Sequence, residues 1–256
     1  MENKKYFFID ESGTPDFYAK RKRPLWTEPN FEPILMMGMV VTSDRRKLRA
    51  QVLDFQKKIL ADPLFNSIYS VNQPNWFLHA SNDHVDVRLK FIEFLRELED
   101  IKCHVVIGRK IPDIFHSKHN GKETEFYFDL LNKMLAHYDF QPVGEYSLYL
   151  SQKQSSTVEQ FKKALEKALS KQSALAADSL FNCSIVMSKD YPELSVVDYL
   201  MWALKRYITQ KDKRYFTALE SNFAEIYDIY EHDGKGRIYN SSDGFDLSKI
   251  TPFGMK

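Results

Sequence analysis

Two adjacent carboxylates, Asp10 and Glu11, directly follow a strand-like apolar run over residues 6–9, and Ser12 and Gly13 then break the strand. Side chains alternate between the two faces of an extended strand, so only one of the two acids can point into a given site. A carboxylate on such a rigid support can ligate a metal ion or transfer protons. The alternatives are therefore an acidic loop and a strand that holds a carboxylate in a site.

A third acid, Asp198, lies beside the apolar stripe of a predicted helix over residues 194–209. At about 100° per residue, that stripe contains Leu194, Val197, Leu200, Met201, Leu204 and Ile208. A carboxylate at the margin of the stripe is near the core without lying inside it, which suits a site at the edge of a sheet. The alternative is a boundary aspartate that is hydrogen-bonded to a neighbouring loop.

Glu123 and Glu125 both lie in the first turn of a predicted helix over residues 122–138. Helical geometry places Glu123 on the apolar face with Tyr127 and Leu130, and it places Glu125 nearly opposite. Both can instead be first-turn acids that complement the helix dipole. His79 ends the extended segment "WFLHAS" and is a candidate general acid or metal ligand, with a partly buried structural histidine as the alternative.

Three basic clusters, at residues 20–23, 45–49 and 205–214, are candidates for contact with phosphate. Tyr18 and Trp26 flank the first cluster, and basic residues interleaved with aromatic ones are typical of single-strand binding. A solvated, charged surface is the alternative interpretation of each cluster.

Strand and helix patterns alternate along the chain, which favours an α/β architecture with a mixed sheet flanked by helices. The predicted strands span residues 5–10, 34–42, 103–109, 145–150 and 181–187. The predicted helices span residues 44–60, 84–99, 122–138, 156–170, 194–209 and 213–231. The segment after residue 231 is rich in turn residues and is predicted to be a loosely packed tail.

The chain has 256 residues, of which 43% are hydrophobic, and its 36 basic and 35 acidic residues leave a net charge of +1. This balance requires any nucleic-acid contact to be a local patch. No apolar run is long enough to span a membrane, and no signal peptide is predicted. The two cysteines lack metal-ligand spacing, which indicates reduced core residues of a cytoplasmic protein. No phosphate-binding glycine loop and no serine nucleophile elbow is present.

Three segments together carry a family resemblance: "FFIDESG" at residues 7–13, "WFLHASNDHVDVRLKFIEFL" at 76–95 and "YPELSVVDYLMWALKR" at 191–206. They resemble domain of unknown function 3800, a mainly bacterial family that is similar in fold to ribonuclease H. The resemblance covers residues 4 to about 215. It implies one ribonuclease H-like domain over residues 1–256, with a helical insertion at about 43–100 and a C-terminal helix and tail at about 211–256.

Ribonuclease H-like nucleases gather carboxylates around one or two divalent ions, and hard oxygen ligands suit Mg²⁺ or Mn²⁺. The resemblance therefore implies that Asp10, Asp198 and Glu123 are the metal ligands. Glu11 or His79 would then transfer protons. The fourth strand of such nucleases commonly ends in an aspartate, whereas this chain has Ser151 there. The site would then hold one metal ion, use a different residue such as Lys153, or be inactive.

Two functions follow from the resemblance. The first is a divalent-metal-dependent nuclease or phosphodiesterase that acts on RNA, DNA or a hybrid of the two. The second is a catalytically inactive ribonuclease H-like module that binds nucleic acid or a protein partner, within a bacterial defence or mobile-element system. The fold alone does not decide between them, because function depends on the site.

Overall fold

A computed structural model describes residues 4–141, 143–152, 157–170, 179–231 and 235–254. Seven strands in these ranges form one mixed sheet in the order β5-β4-β1-β2-β3-β6-β7. Their bounds are β1 Lys4–Ser12, β2 Ile34–Thr42, β3 Lys102–Arg109, β4 Glu145–Ser151, β5 Leu180–Val186, β6 Phe223–Asp228 and β7 Arg237–Tyr239. The five predicted strands are therefore confirmed, each to within two residues at either end.

Eight α-helices flank this sheet within the described ranges. They are α1 Arg45–Ala61, α2 Pro63–Asn66, α3 Val85–Arg96, α4 Pro112–His119, α5 Glu123–His137, α6 Val158–Leu169, α7 Leu194–Gln210 and α8 Arg214–Leu219. Helices α1, α2 and α3 lie between β2 and β3, where the resemblance places a helical insertion. None of the helices in the described ranges has the length and apolarity to cross a bilayer.

The strand pairing is mixed. Strands β1, β2 and β3 form an antiparallel meander, β4 pairs parallel to β1, and β5 pairs parallel to β4. One face of the sheet is covered by α1, α3, α7 and α8, and the other face is covered by α4, α5 and α6. The mixed α/β fold with helices on both faces is confirmed.

The prediction of a helix over residues 213–231 is wrong. The chain there forms the short helix α8 and then β6, which pairs parallel to β3. Apolar residues recur at spacings of three and four from Phe216 to Tyr230, and this spacing mimics a helix. The free edge of β3 instead pairs with residues 223–228, and that pairing satisfies backbone groups which would otherwise face the core.

The described part of the C-terminal segment, residues 235–254, is packed rather than loose, so the prediction of a loosely packed tail is wrong there. Tyr239, Phe245 and Ile250 are buried against α7 and α8 in the same core. A buried cluster of Arg109, Asp228 and Glu231 holds the end of this segment, since Glu231 accepts hydrogen bonds from the amide and hydroxyl of Thr251, both at 2.9 Å. A buried charge needs such partners, and the partners fix the path of the chain.

Candidate carboxylate site

Asp10 and Asp198 lie on the same side of the sheet. Helix α7 packs close to β2 at this level, and this close packing brings Asp198 towards Asp10. Gly38 is the partner of Asp10 across the β1–β2 ladder. A Cβ atom at Gly38 would lie 2.5 Å from the Sδ atom of Met201 and 2.9 Å from a methyl group of Val197. The absence of a side chain at this position therefore lets α7 approach the sheet at the level of Asp10, and Asp198 is carried on that part of α7.

The negative charges of Asp10 and Asp198 repel each other. Burial raises the pKa of Asp10 well above its usual value, and the negative charges of Glu11 and Asp198 raise it further. Burial also raises the pKa of Asp198. Within the described ranges, neither carboxylate forms an ion pair with a lysine or an arginine. Asp198 keeps 22% of its side chain exposed, so the pair is open to a ligand from solvent.

Ser151 completes the immediate surroundings of Asp10. The parallel pairing of β1 with β4 places Ile9 beside Leu150, so Asp10 and Ser151 lie at the same level. The Ser151 side chain is close enough to Asp10 to lower the pKa of that carboxyl, and its Oγ atom lies 3.0 Å from Oγ of Ser188. A neutral hydroxyl therefore occupies the position where the family resemblance implies an aspartate. Lys153, the other candidate near this strand end, lies outside the described residues.

The extended segment over residues 76–80 forms the wall beside Asp198, and it is not a strand. The amide N–H of Ala80 donates a hydrogen bond of 2.7 Å to the Asp198 carboxylate. The Nδ1 atom of His79 lies 3.8 Å from the same carboxylate oxygen, and 37% of the His79 side chain is exposed. His79 is therefore adjacent to Asp198 and accessible from solvent.

Asp83 holds this wall in place, and nothing in the sequence analysis indicated its role. Its buried carboxylate accepts hydrogen bonds from the indole of Trp76, the amide of His79 and the hydroxyl of Tyr199 on α7. Arg88 adds hydrogen bonds to the carbonyl oxygens of Ala80 and Asp83. The only available sequence signal was an aspartate just before a predicted helix, which is typical of an ordinary cap.

Glu11 and Glu123 lie on the opposite face of the sheet, away from Asp198. Glu11 accepts a hydrogen bond of 3.1 Å from the Tyr127 hydroxyl on α5. Glu123 accepts one of 3.0 Å from the backbone N–H of Phe17, so it anchors the loop after β1. In the described ranges, no group of three or more histidine, cysteine or acidic side chains is arranged to hold a metal ion. The structure thus brings together Asp10 and Asp198, with His79 beside them, but not Glu123.

The loop over residues 17–25 rises from the same edge of the sheet and carries the first basic cluster. Phe17 stacks on Phe115 with ring centroids 3.8 Å apart, and the loop closes through a hydrogen bond of 2.9 Å from the Leu25 amide to the Phe17 carbonyl. The cations at residues 20–22 are exposed and form no ion pair with a residue that the structure describes. The other two clusters are largely neutralised, since Arg45 and Arg49 pair with Glu193, and Arg206 and Arg214 pair with Asp212.

The donor set around Asp10 fits a small, hard divalent cation. Two carboxylates and a serine hydroxyl supply only oxygen atoms, and Mg²⁺ is commonly held by one or two carboxylates while it keeps several water ligands. A cation between Asp10 and Asp198 would offset the repulsion that raises the pKa of Asp10. The residues present therefore fit one such ion, which Asp10 and Asp198 would hold.

Comparisons with known proteins give one structural likeness and no family or curated match. No protein-family model matches the chain, and no curated protein matches it. Among solved structures, the chain is similar to the crystal structure of the ribonuclease H2 from Pyrococcus horikoshii OT3, with 13% identity and a TM-score of 0.46 over 82% of this chain and 77% of that one. The strand order and pairing make the protein a mixed α/β protein with a seven-stranded sheet, and its place in the ribonuclease H-like family of unknown function 3800 stays a prediction.

Proposed function

We propose that the protein is a divalent-metal-dependent nuclease that acts on nucleic acid at the Asp10–Asp198 pair. One observation supports this proposal above the others. Two like charges, on β1 and α7, are placed together at the end of β1, and neither forms an ion pair with a lysine or arginine in the described ranges, although Arg88 and His79 act on Asp198 at longer range. Such an arrangement costs stability in the absence of a cation, and it is typical of sites whose task is to bind one. We also propose that the chain is a cytoplasmic member of the family of unknown function 3800.

Each residue of the site has a separate task in this proposal. Asp10 and Asp198 hold the ion, and the Ala80 amide fixes the orientation of the Asp198 carboxylate. When bound, a divalent ion lowers the pKa of water and neutralises charge on a phosphodiester. His79 exchanges a proton with the leaving oxygen, because its exposed ring is adjacent to Asp198. The exposed cations at residues 20–22 attract the phosphate backbone to this edge of the sheet.

Calorimetry with Mn²⁺ and cleavage assays on RNA, DNA and hybrid substrates test the proposal. Wild type is expected to bind about one ion and to cleave at least one substrate, and Asp10→Asn and Asp198→Asn are expected to lose both properties. Glu123→Gln is the matched control, since it removes an equal charge on the other face of the sheet. Absence of Mn²⁺ binding in wild type, together with absence of cleavage, would refute the proposal. Equal loss in Glu123→Gln would show that the ligand set is different.

A second function, a ribonuclease H-like module that binds without catalysis, is favoured by one specific observation. Ser151 stands where the resemblance implies a third acid, and the described residues contain no group of three metal ligands. The same experiments separate the two functions. Binding of nucleic acid or of a protein partner, without Mn²⁺ binding and without cleavage, would support the binding module.

A further inference from the structure

A groove of about 390 Å³ lies beside the carboxylate pair, on the side formed by the N-terminal end of α7. Its walls are α1, the extended segment at residues 77–78, and the turn over residues 188–190 between β5 and α7. The side chains that matter below are those of Arg49, Leu53, Phe77, Ser188 and Lys189. The volume is within the range of about 300–1,000 Å³ in which proteins bind small ligands, and it is of the size of one nucleotide rather than of a duplex.

Two contacts connect the lining of the groove with neighbours of the carboxylate pair. Ser188 lines the groove, and its hydroxyl is 3.0 Å from that of Ser151, which lies at the level of Asp10 on the neighbouring strand. Phe77 lines the opposite wall, and its ring centroid is 6.2 Å from the ring of His79, the neighbour of Asp198. A chain that occupied the groove would therefore lead directly to the carboxylate pair.

The cations of the groove suit a phosphate group. Arg49 is held by hydrogen bonds to the buried carboxylate of Glu193 and to the carbonyl oxygen of Asp190, and 37% of its side chain remains exposed. Lys189 is exposed and forms no ion pair with any residue that the structure describes. The exposed carboxylate of Asp190 also lines the groove, so a bound phosphate must lie on the side of Lys189 and Arg49.

The apolar wall of the groove suits a base. Phe77 is half-buried with its ring edge-on to His79, and Leu53 on α1 is 37% exposed across the groove. An aromatic ring beside cations is the combination that holds unpaired bases by stacking while it binds the backbone by charge. Paired bases are already stacked inside a duplex and are not available to such a ring.

We propose that this groove binds a single-stranded segment of nucleic acid next to the scissile phosphate, with one base on Phe77 and its phosphate on Lys189 and Arg49. This inference rests on the proposed function, because it identifies the substrate of that site as a single strand. It adds a binding surface that is separate from the basic loop over residues 17–25.

Fluorescence anisotropy in EDTA, with a labelled single strand of about ten nucleotides, tests binding without cleavage. Lys189→Glu is expected to weaken binding about 10-fold and to reduce the salt dependence by about 0.7 in the slope of log K against log salt. Phe77→Leu keeps an apolar side chain but loses stacking, and it is expected to weaken binding about 10-fold. Lys249→Glu is the control, since it makes the same charge change on the exposed C-terminal segment, and it should stay within about two-fold of wild type.

The outcomes separate the groove from the nuclease. Loss of binding in Lys189→Glu and Phe77→Leu supports the groove even where no Mn²⁺-dependent cleavage is found, and that result would refute the nuclease alone. Cleavage by wild type with unchanged binding in both variants would overturn the groove and leave the nuclease standing. Equal affinity for a duplex of the same sequence, or an equal loss in Lys249→Glu, would also overturn the groove.

Discussion

The close approach of α7 to β2 makes Gly38→Ala the most informative single substitution in the protein. The added Cβ would lie 2.5 Å from Sδ and 2.7 Å from Cγ of Met201, and 2.9 Å from a methyl group of Val197. Gly38 has no positive φ angle, so alanine introduces no backbone strain there. In the folded state, the effect of the substitution therefore comes from packing between the helix and the sheet.

The magnitude follows from which of these contacts can relax. The Met201 side chain is flexible and can move away, whereas Val197 is stiff at χ1, so α7 itself must shift. Overpacking of this kind costs about 1–3 kcal/mol, and the lower entropy of the unfolded alanine chain offsets about 0.4–1 kcal/mol. The two ranges leave a net loss of about 0–2.6 kcal/mol in the free energy of unfolding, with about 1.3 kcal/mol at their midpoints. Movement of α7 also carries Asp198 away from Asp10, so the Mn²⁺ affinity should fall several-fold.

Urea denaturation and Mn²⁺ calorimetry of a double-mutant cycle provide the assay. Gly38→Ala and Met201→Ala are each expected to destabilise the protein, and the double variant should be less destabilised than their sum by about 1 kcal/mol, because the space left by Met201 accommodates the new methyl group. A Gly38→Ala protein as stable as wild type, with unchanged Mn²⁺ affinity, would refute the reasoning that this contact positions Asp198.

Three further substitutions test other parts of the structure. Burial lowers the pKa of Lys110 from 10.5 to about 8, so between these values the unfolded chain binds more protons and stability rises with pH. Lys110→Met should therefore raise the free energy of unfolding by about 2 kcal/mol at pH 7, and this gain should shrink towards pH 10.5. Urea denaturation at a series of pH values measures it, and a gain that is the same at every pH would contradict the prediction. Asp83→Ala leaves three donors without their acceptor, so the free energy of unfolding should fall by about 3–5 kcal/mol in urea denaturation. A decrease below about 1 kcal/mol would show that the segment beside Asp198 does not depend on Asp83. Ser151→Asp adds a third acid next to Asp10, so it should raise the Mn²⁺ affinity about tenfold in calorimetry. In EDTA the added negative charge repels Asp10, so the melting temperature should fall. Unchanged values of both would show that residue 151 does not face the ion.

Strands and helices were predicted correctly where the spacing of apolar residues within the element itself determines which residues are buried. The strand β2 is a continuous apolar run, and all nine of its residues are buried. Alternation along β1 separates Asp10 from Glu11, and in the structure the two side chains do lie on opposite faces, with Asp198 on one side and Tyr127 on the other. The two-residue period of a strand and the 3.6-residue period of a helix predict which face a side chain lies on.

The features that the sequence did not predict depend on contacts between distant residues. Strand β6 exists because the edge of β3, more than one hundred residues earlier, is free to pair. The role of Asp83 depends on Tyr199, which is 116 positions away. Glu123 was placed on the correct face of α5, but its partner is the amide of Phe17, 106 positions earlier, and no periodic pattern contains that information.

The anchoring of the loop over residues 17–25 has a consequence for how this protein can be altered. Its base is fixed by the stacked rings of Phe17 and Phe115 and by Glu123, whereas the backbone between Ala19 and Arg23 closes on itself through a hydrogen bond of 2.8 Å. Residues 20–22 therefore contribute nothing to the core. Side chains there can be exchanged at little cost in stability where the new residue accepts the left-handed backbone of Arg21 and Lys22, as asparagine and glycine do.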